Sequence, residues 1–117
     1  MTSSNPVLRK TAVMLERAAK EQKAAIWGDA SRLLSRPGLT KVTVNTGRIS
    51  RIAEEGGAVF VPGKVLGTGM VDKKVVVGAF SFSESAKSKI SAAGGSAISV
   101  EQFLKKYPKG SGVKLVK

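Results

Sequence analysis

The sequence predicts an α/β core preceded by a helical N-terminal segment. Three observations support this fold class: short runs of β-branched residues, cap residues between these runs, and apolar residues at helical spacing near the N-terminus. From residue 42 the predicted elements follow the order strand–helix, strand–strand–helix, strand–helix and strand, which is typical of an α/β fold. A single domain over residues 1–117 is expected, with the helical part at 1–37 and the α/β core at 41–117.

The N-terminal segment is predicted to contain two helices. Asn5-Pro6 provides a cap residue followed by proline at the first helical position, which favours a helix start. The second helix is predicted to end at Pro37-Gly38. An apolar stripe at helical spacing runs through both helices and consists of Leu8, Leu15, Ala18, Ala19, Ile26, Ala30, Leu33 and Leu34.

The core elements are predicted from strand-like runs and from helix caps. The expected strands are KVTVN (41–45), AVFV (58–61), KVVVGAF (74–80), SAIS (96–99) and a last short strand with Val113, Leu115 and Val116. The helices between them are predicted from cap residues, namely Asn45, Ser81 with Glu84 or else Ser83, and Ser99 with Gln102. The unbroken apolar run at 74–80 indicates a strand that is buried on both faces.

Cysteine and histidine are both absent, and this excludes several classes of function. No disulfide, thiolate or imidazole is available, so zinc sites of the usual type and serine–histidine or cysteine–histidine catalysis are excluded. The carboxylates form no catalytic pair, because Glu54-Glu55 lie at a predicted helix end while Asp29 and Glu84 lie at predicted helix starts. We therefore expect no enzymatic activity, no metal and no other cofactor.

Positive charge is the strongest compositional signal. Twenty basic against eight acidic side chains give a net charge of +12. Residues 1–51 carry ten basic and three acidic side chains (+7), and residues 52–117 carry ten and five (+5). A chain that is basic along its whole length is expected to bind a polyanion. The sequence has neither a membrane-spanning apolar segment nor a signal-peptide core, so a cytoplasmic protein is expected.

Residues 59–74, VFVPGKVLGTGMVDKK, resemble a phosphate-binding loop but fail the two nucleotide motifs. A Walker loop needs Ser or Thr after Gly-Lys, where this chain has Val65, and a glycine five residues before Gly63, where it has Ala58. A dinucleotide loop must open a helix, whereas a strand is predicted here. A hairpin-like connection is therefore predicted. Its exposed amides and three flanking lysines, Lys64, Lys73 and Lys74, would suit RNA phosphates.

Aromatic and basic residues near the C-terminus form a second candidate contact. Tyr107 stands between Lys105-Lys106 and Pro108-Lys109, so it either stacks on a base or closes the preceding helix. The stretch KKYPKGSGVKLVK holds five lysines and no acid, and it is either a solvated face or a phosphate-binding surface. Trp27, the only tryptophan, is expected in the core.

Several of these stretches together resemble one family. NPVLRK, IWGDASRLLSRP, VNTGRISRI, VPGKVLGTG, SFSESA, AGG and PKGSGV are similar to the archaeal and eukaryotic large-subunit ribosomal protein family "L eighteen e", a relative of the universal ribosomal protein fifteen family. The similarity runs from about residue 5 to residue 117, and the short length is typical of archaeal members. Relatives often carry a denser arginine run where this chain has residues 35–45, and a basic residue where it has Gly28.

The resemblance implies an irregular superhelix of strand–strand–helix units and a structural role in the large ribosomal subunit. The implied partners are large-subunit ribosomal RNA and neighbouring ribosomal proteins, with no membrane and no small-molecule substrate. A nucleotide-binding enzyme and a DNA-compacting protein remain as alternatives. The basic residues expected to contact RNA phosphates are Arg48, Arg51, Lys64, Lys73, Lys74, Lys105, Lys106, Lys109 and Lys114.

Overall fold

The fold is given by a computed structural model that describes residues 6–36 and 42–117. The predicted features at Asn5, Pro37-Gly38 and Lys41 lie outside these ranges. The order of elements confirms the predicted α/β core and the helical N-terminal segment. The elements are α1 (Pro6–Gln22), α2 (Ala25–Leu34), β1 (Val42–Asn45), α3 (Thr46–Ile52), β2 (Ala58–Leu66), β3 (Val76–Phe82), α4 (Glu84–Ala92), β4 (Ser96–Ile98), α5 (Val100–Lys106) and β5 (Val113–Leu115).

The five strands form one sheet in which every pairing is parallel. The long strand β2 is central: β3 pairs with one edge, and β4 extends the sheet beyond β3. Two short strands share the other edge of β2, with β5 opposite Ala58–Phe60 and β1 opposite Gly63–Leu66. The carboxyl ends of β1, β2 and β3 therefore meet along one border of the sheet, and the loops that follow them are neighbours.

The connection between β2 and β3 corrects one prediction. Because β2 and β3 are parallel, residues 67–75 form a crossing connection and not a hairpin. Pro62-Gly63 was expected to begin the turn but lies inside β2, at a bulge where the pairing register shifts between Val61 and Lys64. Proline cannot donate to the ladder, and a bulge is a place within a sheet that tolerates it.

Both faces of the sheet are covered by helices. Val59 and Val61 belong to a core that includes Ile49 of α3 and Ile90 of α4. Ala58 and Phe60 belong to a second core, to which α1, α2 and α5 contribute. Neighbouring side chains point to opposite faces of a strand, so the two cores lie on opposite sides of the sheet. The same division separates Val77 from Val76 in β3, as expected for a strand buried on both faces.

Trp27 lies at the centre of the second core, which confirms its predicted place. Its side chain has no exposed surface, and its ring meets Phe60 edge-on at 5.3 Å and Phe103 at 6.0 Å between centroids. The indole Nε1 donates to the Pro108 carbonyl at 2.8 Å. One side chain thus joins α2 to β2, to α5 and to the loop that follows α5.

The helix caps agree with the sequence in two of three cases. Ser99 and Gln102 form the predicted capping box, and Ser83, the alternative to Ser81, caps α4 by accepting from the Ala86 amide at 3.2 Å. Asn45 occupies the cap position of α3, but its side chain makes no capping hydrogen bond. None of the helices in the two described ranges has the length and apolar character to cross a bilayer.

Candidate nucleic-acid interface

The candidate interface begins at residues 67–70, called here the glycine loop, which leaves the carboxyl end of β2. Three of its carbonyl groups are held from inside the protein. The Thr46 hydroxyl donates to the carbonyls of Thr68 at 3.0 Å and Gly69 at 3.1 Å. The Gly47 amide also donates to the Thr68 carbonyl, at 2.9 Å. Residues at the start of α3 therefore fix the loop, and the Thr68 carbonyl accepts from an amide of the first turn of α3 in place of the Asn45 side chain.

Lys89 of α4 completes this attachment from the other side. Its ammonium group donates to the Gly67 carbonyl at 2.5 Å and to the Gly69 carbonyl at 3.0 Å. The sequence did not point to Lys89, because 22 residues separate it from Gly67 and no local spacing connects them. Only the parallel crossover from β2 through β3 to α4 places the two side by side.

The inward carbonyls determine where the amide groups of the glycine loop point. In a planar trans peptide the N–H lies opposite the C=O, and no described peptide is cis. The N–H groups of Thr68, Gly69 and Met70 therefore point away from the groups of Lys89, Thr46 and Gly47 that bind these carbonyls, and all three residues are exposed. Gly69 has φ +92°, and a Cβ there would lie 2.7 Å from the Gly47 Cα. Amide groups on an exposed glycine-rich loop can bind an anion.

Arg51 lies beside the glycine loop. Its guanidinium is 3.7 Å from the position that a Cβ on Gly47 would take, and Gly47 packs against Gly69. The Arg51 side chain is exposed, and no ion pair to it is formed within the described ranges. Of the residues predicted to contact RNA, Arg51 is the one that the structure places beside the glycine loop.

Two other predicted residues form bonds inside the protein. The half-buried Lys73 donates from Nζ to the Ala53 carbonyl at 2.8 Å. Lys114 donates from Nζ to the Ile52 carbonyl at 2.9 Å and lies 3.6 Å from a Glu54 carboxylate oxygen. Both ammonium groups therefore satisfy carbonyls at the end of α3, where cations also interact favourably with the helix dipole.

Lys64 and Lys74 lie apart from the glycine loop. Lys64 is exposed and alternates with the buried Val65, so it emerges on the opposite face of the sheet from α3. It is in register with Thr43 on β1 and Ser81 on β3. Lys74 is exposed, and its backbone amide donates to Glu55 at 3.2 Å.

Three exposed lysines surround the turn after α5. Lys105 and Lys106 end the helix, and Lys109 follows it. Tyr107 caps the helix and packs on Phe103 at 4.8 Å between ring centroids, which agrees with the helix-closing alternative and leaves one ring face covered. The turn is docked on α2, because a Cβ on Gly110 would come within 2.5 Å of Ile26.

Comparison with protein families matches residues 15–98 to a model whose description reads "Ribosomal proteins 50S-L15, 50S-L18e" and adds a protein of the 60S subunit. The chain belongs to this ribosomal protein family. It is a family of structural proteins and not of enzymes, which confirms the expectation drawn from the missing catalytic side chains and from the resemblance. The matched residues include α3, the glycine loop and Lys89, and the match ends before α5.

Relatives from archaea match nearly the full chain. The protein from Archaeoglobus fulgidus is 43% identical over 117 residues and is covered to 99%, as is this chain. The protein from Haloarcula marismortui is 42% identical over 117 residues, with 100% of both chains covered. That from Methanoregula boonei is 41% identical over 114 residues, with 97% of this chain and 94% of its own covered. Each is named "Large ribosomal subunit protein eL18".

Proposed function

We propose that this chain is a structural constituent of the large ribosomal subunit and binds folded ribosomal RNA through backbone phosphates. Membership of the ribosomal protein family and the names of the relatives support this role. The net charge of +12 supports a polyanionic partner. In this proposal the protein acts in the cytoplasm, alongside other proteins of the subunit and without a membrane or a small-molecule substrate.

The exposed glycine loop, with Arg51 beside it, is the observation that carries the RNA-binding part of the proposal. We infer that the N–H groups of Thr68, Gly69 and Met70 and the Arg51 guanidinium bind RNA phosphates together. Hydrogen bonds from such groups to a phosphate are charge-assisted and about twice as strong as neutral ones. Because the carbonyls are already held by Thr46 and Lys89, the amides are oriented before RNA arrives. Little ordering entropy is then lost on binding.

The remaining predicted residues take different parts in this proposal. We assign direct phosphate contacts to the exposed side chains, namely Arg48, Arg51, Lys64, Lys74, Lys105, Lys106 and Lys109. Lys73 and Lys114 contribute positive potential while they hold the end of α3. The protein recognises the shape of folded RNA, because phosphate contacts carry no sequence information.

We also propose that the N-terminal helices and the α/β core fold as one domain. Trp27 of α2 packs against Phe60 of β2 and Phe103 of α5, so the second core is shared between the two parts. A core that crosses the boundary is hard to divide into independently folding units.

The direct test is binding of the purified protein to large-subunit ribosomal RNA, with duplex DNA as competitor. The double variant Arg51→Gln/Lys89→Gln removes the cation beside the glycine loop and the lysine that positions it. The matched control Arg9→Gln/Lys87→Gln removes the same two residue types at exposed positions on α1 and α4.

We expect the first variant to bind RNA on the order of tenfold more weakly, as the loss of one or two charge-assisted bonds implies. The control should change binding by less than about threefold. Equal losses in both variants would contradict a defined site at the loop. A preference for duplex DNA over ribosomal RNA would contradict the ribosomal role and favour a DNA-compacting protein.

A further inference from the structure

A second basic site lies at the C-terminal end of α2. A depression of about 400 Å³ is lined there by Asp29, Arg32, Leu33, Arg36, Leu115 and Lys117. Three separate parts of the fold supply its cations. Arg32 lies in the last turn of α2, Arg36 follows that helix, and Lys117 follows β5.

Arg48 of α3 extends the same site. Its guanidinium donates to the backbone carbonyl of Lys117 at 3.3 Å, so the first turns of α3 are tied to the chain after β5. Leu33 and Val116 share the first core, and this packing fixes the floor beneath the charged side chains. Arg32 and Arg48 therefore stand on helices, and Arg36 and Lys117 directly follow packed elements.

The charge balance of this depression is strongly positive. Asp29 is the one acidic residue in its lining, and it already forms an ion pair with Arg32. Within the described ranges, the side chains of Arg36 and Lys117 form no ion pair, and the Arg48 guanidinium has a main-chain oxygen of Lys117 as its partner. Bringing unpaired cations from separate elements together costs electrostatic free energy, and that cost falls when an anion lies between them.

We propose that Arg32, Arg36, Arg48 and Lys117 form a second phosphate site that takes the backbone of an RNA segment. The inference rests on the proposed ribosomal RNA-binding function. Three of the four residues are arginines, whose planar guanidinium groups can hold two phosphate oxygens at once. Arg48 is three residues before Arg51, so the two arginines lie on the same face of α3. This face of α3 links the second site to the glycine loop, and the protein contacts RNA backbone at both.

The absence of cysteine allows the position of RNA at each site to be mapped directly. Ser35→Cys places a single thiol beside Arg36, and Thr68→Cys places one on the glycine loop; both native residues are exposed. Each variant is labelled with iron–EDTA, bound to large-subunit ribosomal RNA, and made to release hydroxyl radicals. We expect strand cuts from both positions, at distinct places in the RNA.

A binding series supplies the second measurement. Arg36→Gln/Lys117→Gln should reduce the slope of log affinity against log salt by about 1 to 2, as the loss of one or two phosphate contacts implies. The matched control Lys10→Gln/Arg17→Gln, on the exposed side of α1, should reduce it by less than about 0.5.

The outcomes separate this inference from the proposed function. Cuts from position 68 without cuts from position 35, together with an unchanged slope, would overturn the second site and leave ribosomal RNA binding intact. Failure of the unaltered protein to bind the RNA would overturn the proposed function itself. Titration with inorganic phosphate tests whether the site binds a free anion instead of RNA. The proposal would be contradicted if the unaltered protein bound inorganic phosphate, Arg36→Gln/Lys117→Gln did not, and that variant kept its full affinity for RNA.

Discussion

Two glycine-containing basic loops look alike in the sequence and are built differently in the structure. The glycine loop at 67–70 has its carbonyls bound by Thr46 and Lys89, so its amides point away from these side chains. The backbone of the turn at 107–112 is instead used inside the protein. The Pro108 carbonyl accepts from the Trp27 indole, Gly110 packs on Ile26, and the Gly110 amide donates to the Tyr107 carbonyl. The first loop presents backbone donors, whereas the second presents lysines on a packed turn. A basic Gly-x-Gly pattern alone does not distinguish the two.

The largest expected effect comes from removing the side chain that docks the second turn. Trp27→Ala should lower the free energy of unfolding by about 3–5 kcal/mol, because it empties the centre of the second core. Trp27→Phe should cost less, about 1–2 kcal/mol, mainly through the lost bond to Pro108. Because Trp27 is the only tryptophan, unfolding should be followed by circular dichroism in urea.

Val13→Ala is the control for this series, since Val13 is 52% exposed and its truncation should change stability by less than about 0.5 kcal/mol. If Trp27→Ala were no more costly than Val13→Ala, the second core would not depend on Trp27. In that case the docking of the turn at 107–112 would need another explanation.

The glycine loop and the C-terminal turn can be compared directly with one substitution in each. Gly69 and Gly112 both have positive φ, +92° and +75°, so alanine costs about 1–2 kcal/mol of backbone strain at either position. A Cβ on Gly69 also meets Gly47, whereas a Cβ on Gly112 meets nothing within 4 Å. Gly69→Ala should therefore shift the outward amides and weaken RNA binding on the order of tenfold, while Gly112→Ala should leave it within about twofold.

Equilibrium binding at one salt concentration, with urea denaturation of both variants, provides the measurement. Gly69→Ala is expected to lose more stability than Gly112→Ala, because its Cβ also meets Gly47. RNA affinity is therefore compared under conditions where denaturation shows both variants to be folded, so that a difference reports on the site and not on unfolding. Equal RNA affinities would show that the amides of the glycine loop do not contact RNA.

The fold was largely predictable, because its signals are local. β-Branched runs, the Ser99–Gln102 capping box and the apolar N-terminal stripe each depend on neighbouring residues, and the structure confirms each of them. The parallel β2–β3 pairing was missed because Pro62-Gly63 is a turn signal in isolation, whereas here a bulge accommodates it inside a strand.

The site was less predictable, because its geometry depends on contacts between distant segments. Positive charge predicted RNA contacts equally for Arg48 and Arg51, which are exposed, and for Lys73 and Lys114, which bond to carbonyls at the end of α3. Lys89 could not be found from its own surroundings. Lys89 would have been found by examining the helix that follows β3, the strand that pairs in parallel with β2.

A smaller effect should separate structural lysines from exposed ones. Lys114→Met removes the bond to Ile52 and the contact with Glu54, and it should cost about 1 kcal/mol of stability. The Lys114 side chain is 44% exposed, so solvent screens much of the ion pair. Lys64→Met should leave stability within about 0.5 kcal/mol and should reduce the salt slope of RNA binding by about 1. Thermal unfolding and filter binding provide the measurements. A loss of stability in Lys64→Met together with a reduced salt slope in Lys114→Met would mean that Lys64 is the structural lysine and Lys114 the one that contacts RNA.

The smallest expected effect tests whether the turn at 107–112 binds through charge alone. Lys109 is exposed, and the backbone around it is used in the packed turn, so only its ammonium group is available to RNA. Lys109→Gln should lower the salt slope by about 1 with little change in affinity at high salt, and Lys109→Arg should restore the slope. Gly69→Ala should do the opposite and lower affinity at every salt concentration with little change in slope, because an amide releases no counterion when it binds. A slope change in both variants, or in neither, would remove the distinction between a backbone site and a charge site.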